Sequence, residues 1–356
     1  MRTRLLGVVL FGACAGLAAA CGGGGGDTPD AAISDAAVVD ARPPDAAPPD
    51  AEPADAEPAD AELADAELAD AEPADAALPS GPRHKMVANG FHVPANSVQT
   101  QQFGIDIDGD PNHRPDNALG SVMSALAQQN VNIAALTDAS IAAGRIVSLH
   151  VLQAPDLTDA PGAFWTIYEG QPHAAPDFSG AGSFEIAPES PFDSVIPGRI
   201  VGGHFVGGPG FAKVQIDLAG TVVPLDLVAV HVDAQVTPTG CTGKIGGALT
   251  KNEIDIHLVP AFATVFEQIV QADPGCPSAC TGTAHTLLGL FDTDHDGAIS
   301  VQEVADNTLI HSLLAPDVDL FDASGAFHPR QDGINDSLSV GFGLSCVGAS
   351  FSVPGE

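Results

Sequence analysis

The chain is short of aromatic residues, of positive charge and, past its first twenty residues, of any long apolar run. One Trp and one Tyr among 356 residues leave a core to be built from Val, Ile, Leu and the sixteen Phe. Twelve Lys and Arg face 46 Asp and Glu, a formal charge of −34, and no basic stripe interrupts it. Such a surface repels phosphate backbones, which argues against nucleic-acid binding, and it repels anionic headgroups too. Metal cations are its natural partners. After the first twenty residues no stretch approaches the roughly 20 apolar residues that span a bilayer, so membrane attachment must come from the N-terminus.

Signatures of catalysis are missing as well. There is no Gly-x-Ser-x-Gly elbow, no His-Glu-x-x-His, no glycine loop before a lysine and no dinucleotide fingerprint. The twelve histidines are scattered. His150 and His231 fall on the polar faces of predicted strands, where a solvated imidazole is expected. A hydrolase built from residues distant in sequence stays open as an alternative.

What is present begins with an address. Arg2 and Arg4 precede the apolar run Leu5 to Leu17, and Ala18-Ala19-Ala20 offers a small-residue cleavage site directly before Cys21. This resembles a bacterial lipobox, although Ala18 stands where the family prefers Leu. The resemblance implies a signal peptide over residues 1–20 and a diacylated Cys21 as the mature N-terminus. Several acyl chains, at about 0.8 kcal/mol per buried CH₂, anchor stably. Gly22 stands where the inner-membrane retention signal has Asp, so the resemblance points to a cell-envelope lipoprotein of the outer rather than the inner membrane.

Residues 21–82 read as a disordered tether. Gly22 to Gly26 is a leash, after which Asp recurs every five residues from Asp30 to Asp75. Sixteen carboxylates against one arginine lie between Asp27 and Ser80. A five-residue period suits neither helix nor strand, proline breaks most units, and nothing there builds a core. Fully stretched, the tract would approach ~170 Å at about 3.1 Å per residue. Its solvated, evenly spaced carboxylates suit a spacer better than a chelator.

Residues 83–356 are predicted to form a β-rich α+β domain, an antiparallel sandwich or partial barrel. Helices are expected at Ala118 to Ala127, capped by Asn117, and at Val131 to Ala143, stopped by Gly144. Alternation then marks strands: Val147/Leu149/Val151, Ala212 to Leu218 with Lys213, Gln215 and Asp217 on the wet face, and Val228 to Val236. Phe164 to Tyr168 and Ile200 to Val206 are shorter candidates. Glu253 to Leu258 alternates like a strand, yet Thr250 and Glu253 form a capping box. Beyond Pro260 the period is helical, and Ser337 to Val353 returns to strand composition. Cys241, Cys276, Cys280 and Cys346, an even set in an exported chain, favour two disulfides with three possible connectivities. Only Cys276/Cys280 has zinc-pair spacing.

One motif carries a mechanism. Residues 292–303 read Asp-Thr-Asp-His-Asp-Gly-Ala-Ile-Ser-Val-Gln-Glu. This resembles an EF-hand calcium loop, within a helix-loop-helix module over 283–314. The resemblance implies Ca²⁺ held by Asp292, Asp294 and Asp296, the Ala298 carbonyl, Ser300 directly or through water, and a bidentate Glu303. Gly297 permits the bend, and Ile299 marks where paired loops form a strand contact. Thr283 to Phe291 and Val301 to Leu314 are the expected flanking helices. A second acidic loop, Asp106, Asp108 and Asp110, begins like an EF-hand or thrombospondin-type calcium loop. Pro111 and Arg114 intrude, and Asp116-Asn117 would have to complete it. Asp317, Asp319 and Asp322 form a third cluster, read as a solvated turn rather than a degenerate partner hand.

These readings converge on a calcium-binding envelope lipoprotein: a tethered binding or adhesion module, with structural calcium and a protein or glycan ligand. The alternatives are an envelope hydrolase with structural calcium and a purely structural lipoprotein.

Overall fold

The computed structural model describes residues 81–355 apart from 111–114, 129–131 and 219. The signal peptide, Cys21 and all but the last two residues of the expected tether lie outside the described residues.

The domain is β-rich, around a ten-stranded mixed sheet. Its main ladder runs β1 (Arg83–His92), β2 (Ser148–Gln153), β3 (Ala160–Glu169), β5 (Val195–Val201), β6 (His204–Gly207), β8 (Thr221–Thr237), β9 (Gly240–Thr250) and β10 (Ser337–Ser350). Every pair in this series is antiparallel, and β10 also pairs with β1, opposing Val87 to Val347. The ladder therefore returns on itself as an eight-stranded ring, and the antiparallel sheet expected from the alternation is a closed one. Closure removes exposed edges. The short β4 (Gly182–Ser183) adds to β10 in parallel, and β7 (Ala212–Leu218) forms a hairpin with the first half of β8.

Registry places Leu152 opposite Trp165, Trp165 opposite Ile196, and Ile245 opposite Phe342, so these side chains share one face. That face is the interior, where Trp165, Phe205 and Phe342 are fully buried. The outer face of β1–β2 is dry too, because Val87, Leu149 and Val151 pack with Tyr168 beneath Phe184, Phe351 and Val353. Ile200 to Val206 is not one strand. Gly202 and Gly203, at φ +58° and +76°, make the two-residue turn joining β5 to β6, a turn that requires positive φ at both positions.

Two expected wet positions are buried. His150 is 1% exposed and points into the barrel, where Trp165 Nε1 donates to its Nδ1 at 3.0 Å. Asp217 is 0% exposed, because Ile133–Ala142 and Arg145 cover it; Arg145 Nη2 donates to its Oδ2 at 2.8 Å.

The helices Ala118–Gln128 and Ile133–Ala142 form where the sequence places them, with Asn117 and Asn132 accepting from the first turns. Beyond β9 the ambiguous segment is helical. Thr250 Oγ1 caps it, Ile254 and Leu258 are buried one π-helical turn apart, and Ile256 is left exposed. A helix over Val259–Ala272 continues and packs on Gly282–Phe291, with the Phe266 and Phe291 rings 4.8 Å apart. No described helix is long and apolar enough to cross a membrane. The cysteines pair as Cys241–Cys346, directly opposite on β9 and β10, and Cys276–Cys280.

Candidate metal centres

The loop between Gly282–Phe291 and Val301–Ala305 is organised by its own carboxylates. Asp292 Oδ1 accepts from the Asp296 amide (3.1 Å) and Oδ2 from that of Gly297 (3.0 Å). Asp294 Oδ1 accepts from Asp296 (3.1 Å), and Asp296 Oδ1 from Ala298 (2.8 Å). The chain can wind this tightly because His295 and Gly297 take positive φ, +60° and +87°. The outcome is convergent: Asp292, Asp294 and Asp296 each offer an oxygen within 4.8 Å of the others.

Glu303 stands outside that triad and closes the loop by hydrogen bonds. Its Oε1 accepts from the Thr293 amide at 2.7 Å, and its Oε2 from the Ser300 amide at 2.8 Å and hydroxyl at 2.9 Å. Ser300 in turn caps Val301–Ala305 in a reciprocal capping box. Burial pushes the Glu303 carboxyl up, but bonds from Ser300, Thr293 and Asp294 together outweigh it and hold it below the usual range.

The surroundings differ from expectation in two ways. The exiting helix is broken: it ends at Ala305, and Asn307 caps a separate helix, Thr308–Leu313, through the Leu309 amide. No second loop pairs with Ile299 among the described residues. Instead Glu267 Oε2, from the helix Val259–Ala272, accepts from the Ile299 amide at 2.8 Å, while the Ile299 side chain is buried in the core. Glu267 lies 32 residues away, with no local spacing to mark it. The Cys276–Cys280 loop also packs here, since a Cβ on Gly297 would meet Pro277 Cβ at 2.4 Å.

At the second acidic loop, Asp106, Asp108 and Asp116 come within 4.8 Å of one another, whereas Asp110 is not in that triad. An isolated bridge between Ile105 and Asp116 sets the geometry, and Asp116 Oδ2 accepts from the Ile107 amide at 2.7 Å. Burial pushes Asp116 up to about 6 against that bond, with the Asp108, Asp317 and Asp106 charges adding to the rise. Asp317 and Asp319 do not form a solvated turn. They line a cleft with Asp108, Asp110 and Asp116, and Asp319 is 4% exposed.

Both arrangements offer only hard oxygen donors, suited to Ca²⁺ or Mg²⁺ rather than to thiophilic metals. Ser148 and His150 hydrogen-bond at 3.0 Å, but the buried His150 has its other ring nitrogen taken by Trp165, so this pair has no access to a substrate. His204 and Asp233 pair at 2.6 Å on the surface. No protein-family model, curated protein or solved structure matches the chain.

Proposed function

We propose that this chain is a calcium-binding lipoprotein of the bacterial cell envelope, anchored through Cys21 and carrying a binding or adhesion module on an acidic tether. Calcium in this reading is structural and sits in the Asp292–Glu303 loop as in an EF-hand. The observation that carries it is the convergence of Asp292, Asp294 and Asp296 within 4.8 Å on a loop prefolded by their own bonds to backbone amides. An ion entering such a loop finds three carboxylates already gathered, whose mutual repulsion it relieves. A structural role, rather than switching, agrees with Glu267 fixing the Ile299 amide: the position that would couple to a second loop is occupied within the domain. A long spacer suits reach toward a protein or glycan ligand.

Extracellular calcium modules bind with Kd on the order of 10⁻⁴ to 10⁻³ M. At ~1 mM calcium, mass action then stabilises the fold by about 0.4 to 1.4 kcal/mol, a rise of a few degrees in Tm. Magnesium should give less, because it demands six short contacts and releases its water reluctantly. The test is thermal unfolding of the full chain in calcium, magnesium or chelator, for wild type, Asp292→Ala and Glu303→Gln. Each substitution should remove most of the calcium-specific shift. A wild-type response in both variants would place the metal elsewhere.

A further inference from the structure

We propose that the cleft lined by Asp108, Asp116, Asp317 and Asp319 is a second divalent-cation site, which takes a calcium-sized ion and ties two distant parts of the chain together. It does not depend on the Asp292 loop. One wall is the triad Asp106, Asp108 and Asp116. The other comes from the segment leading into β10: Asp317 and Asp319 line the cleft together with Asp108 and Asp116 of that triad, while standing outside its 4.8 Å cluster. Asp317 is held by Ser339, whose amide donates to Oδ1 at 2.7 Å and whose hydroxyl donates to Oδ2 at 2.5 Å. This carboxylate is therefore fixed to the barrel.

The observation that asks for a ligand is Asp319. Its side chain is 4% exposed, and Oδ2 accepts from the Gly333 amide at 2.7 Å, yet Oδ1 is buried and has no donor among the described residues. Leaving a buried carboxylate oxygen bare is unfavourable, and native structures satisfy such atoms with a donor, a water or an ion. Arg330, in the same lining, does not satisfy it: its amide donates to the Asp319 carbonyl at 3.0 Å, and its Nη1 goes to the Gly109 carbonyl at 2.8 Å, which ties the two walls without bonding the Asp319 carboxylate. A cation on the Asp319 side of the cleft would give Oδ1 a partner and offset the repulsion among the facing carboxylates.

The donor set selects the ion. The candidate ligands Asp106, Asp108, Asp116, Asp317 and Asp319 are all carboxylates, hard oxygen ligands, with no thiolate or imidazole among them. They come from two irregular segments rather than one rigid frame, which suits the larger ion with its flexible coordination of six to eight oxygens over the octahedral demands of magnesium. The loop after the helix Ser97–Phe103 would then be pinned to the segment entering β10, across the packed cluster of Ile107, Val318 and Leu320.

The experiment is equilibrium dialysis of calcium against the full chain in about 150 mM KCl, which screens diffuse binding by the acidic tract. The variants are Asp292→Asn/Glu303→Gln, and that pair combined with Asp108→Asn or with Asp319→Asn. With the loop silenced, one saturable calcium should remain per chain. Asp108→Asn or Asp319→Asn should weaken it at least about ten-fold, as loss of a charged ligand does. Asp108 is only partly buried, so its variant decides if Asp319→Asn disturbs folding by circular dichroism. No saturable calcium in the loop-silenced chain up to several millimolar overturns the proposal, and so does a site indifferent to both cleft substitutions. If the loop reading alone is wrong, wild type and the loop-silenced chain bind the same single ion, which the cleft substitutions remove.

Discussion

Inside the barrel, the hydrogen bonds of His150 determine its tautomer. Indole N–H only donates, so Nδ1 must accept from Trp165, and Nε2 then carries the proton and faces Ser148 Oγ at 3.0 Å. Burial lowers its pKa from 6.5 to about 3. Native His150 thus stays neutral where the unfolded chain takes up a proton. Its contribution to stability is intact above about pH 6.5 and is lost as pH falls toward 3, with a slope of up to about 1.4 kcal/mol per pH unit. His150→Gln, which keeps an acceptor and a donor, should flatten that part of the pH–stability curve. An NMR titration of His150 with a midpoint near 6.5 in the folded protein would contradict the assignment. Asp217→Ala should cost about 2 to 3 kcal/mol in urea unfolding, since it leaves Ser140, the Gly220 amide and part of Arg145 without their acceptor. A loss under about 0.5 kcal/mol, the size of an ordinary surface substitution, would mean that Asp217 is solvated in solution. Both residues alternate in sequence as polar faces do. Nothing local told that a helix covers one and a barrel closes over the other.

At the scale of elements, Cys241–Cys346 staples neighbouring strands across a sequence separation of 105. Loop-closure entropy assigns such a bridge about 4 to 5 kcal/mol, and far less to Cys276–Cys280 with its separation of 4. Replacing Cys241 and Cys346 together by Ser should lower stability strongly, while Cys276/Cys280 to Ser should act mainly on the neighbouring acidic loop. Non-reducing peptide mapping should recover these two pairs, and a Cys241–Cys276 peptide would contradict the fold. Gly297→Ala probes the same neighbourhood: φ +87° and the approach of Pro277 both oppose a side chain, at about 1 to 3 kcal/mol. The elements themselves were largely legible. Asn117, Gly144 and Thr250 act as helix signals where they stand, and strict alternation gave β7 and the C-terminal half of β8. The β5–β6 hairpin was hidden because its turn is only Gly202-Gly203 between Val-rich arms. The break at Asp306-Asn307 was hidden because apolar spacing continues through it. Asp317 and Asp319 resembled a surface turn because Asp108 and Asp116, which line the cleft with them, lie some two hundred residues earlier.

For the whole molecule, the proposed anchor and nearly all of the proposed spacer lie outside the described residues, which form a closed barrel with helices inserted between β1 and β2 and between β9 and β10. If Cys21 is acylated, cells fed a fatty-acid label should yield labelled protein in the membrane fraction, and Cys21→Ala should release it. Wild-type protein without an acyl chain by intact mass would remove the anchor. The folded domain stands apart from that question, and its central claim is the ion in the Asp292 loop. A crystal structure of the full chain or its ordered part grown in several millimolar calcium addresses this directly. The account predicts anomalous density with oxygen ligands at about 2.3 to 2.6 Å from Asp292, Asp294, Asp296, the Ala298 carbonyl and Glu303. A loop at that calcium concentration holding only water, with its carboxylates bonded solely to their own backbone amides, would contradict it.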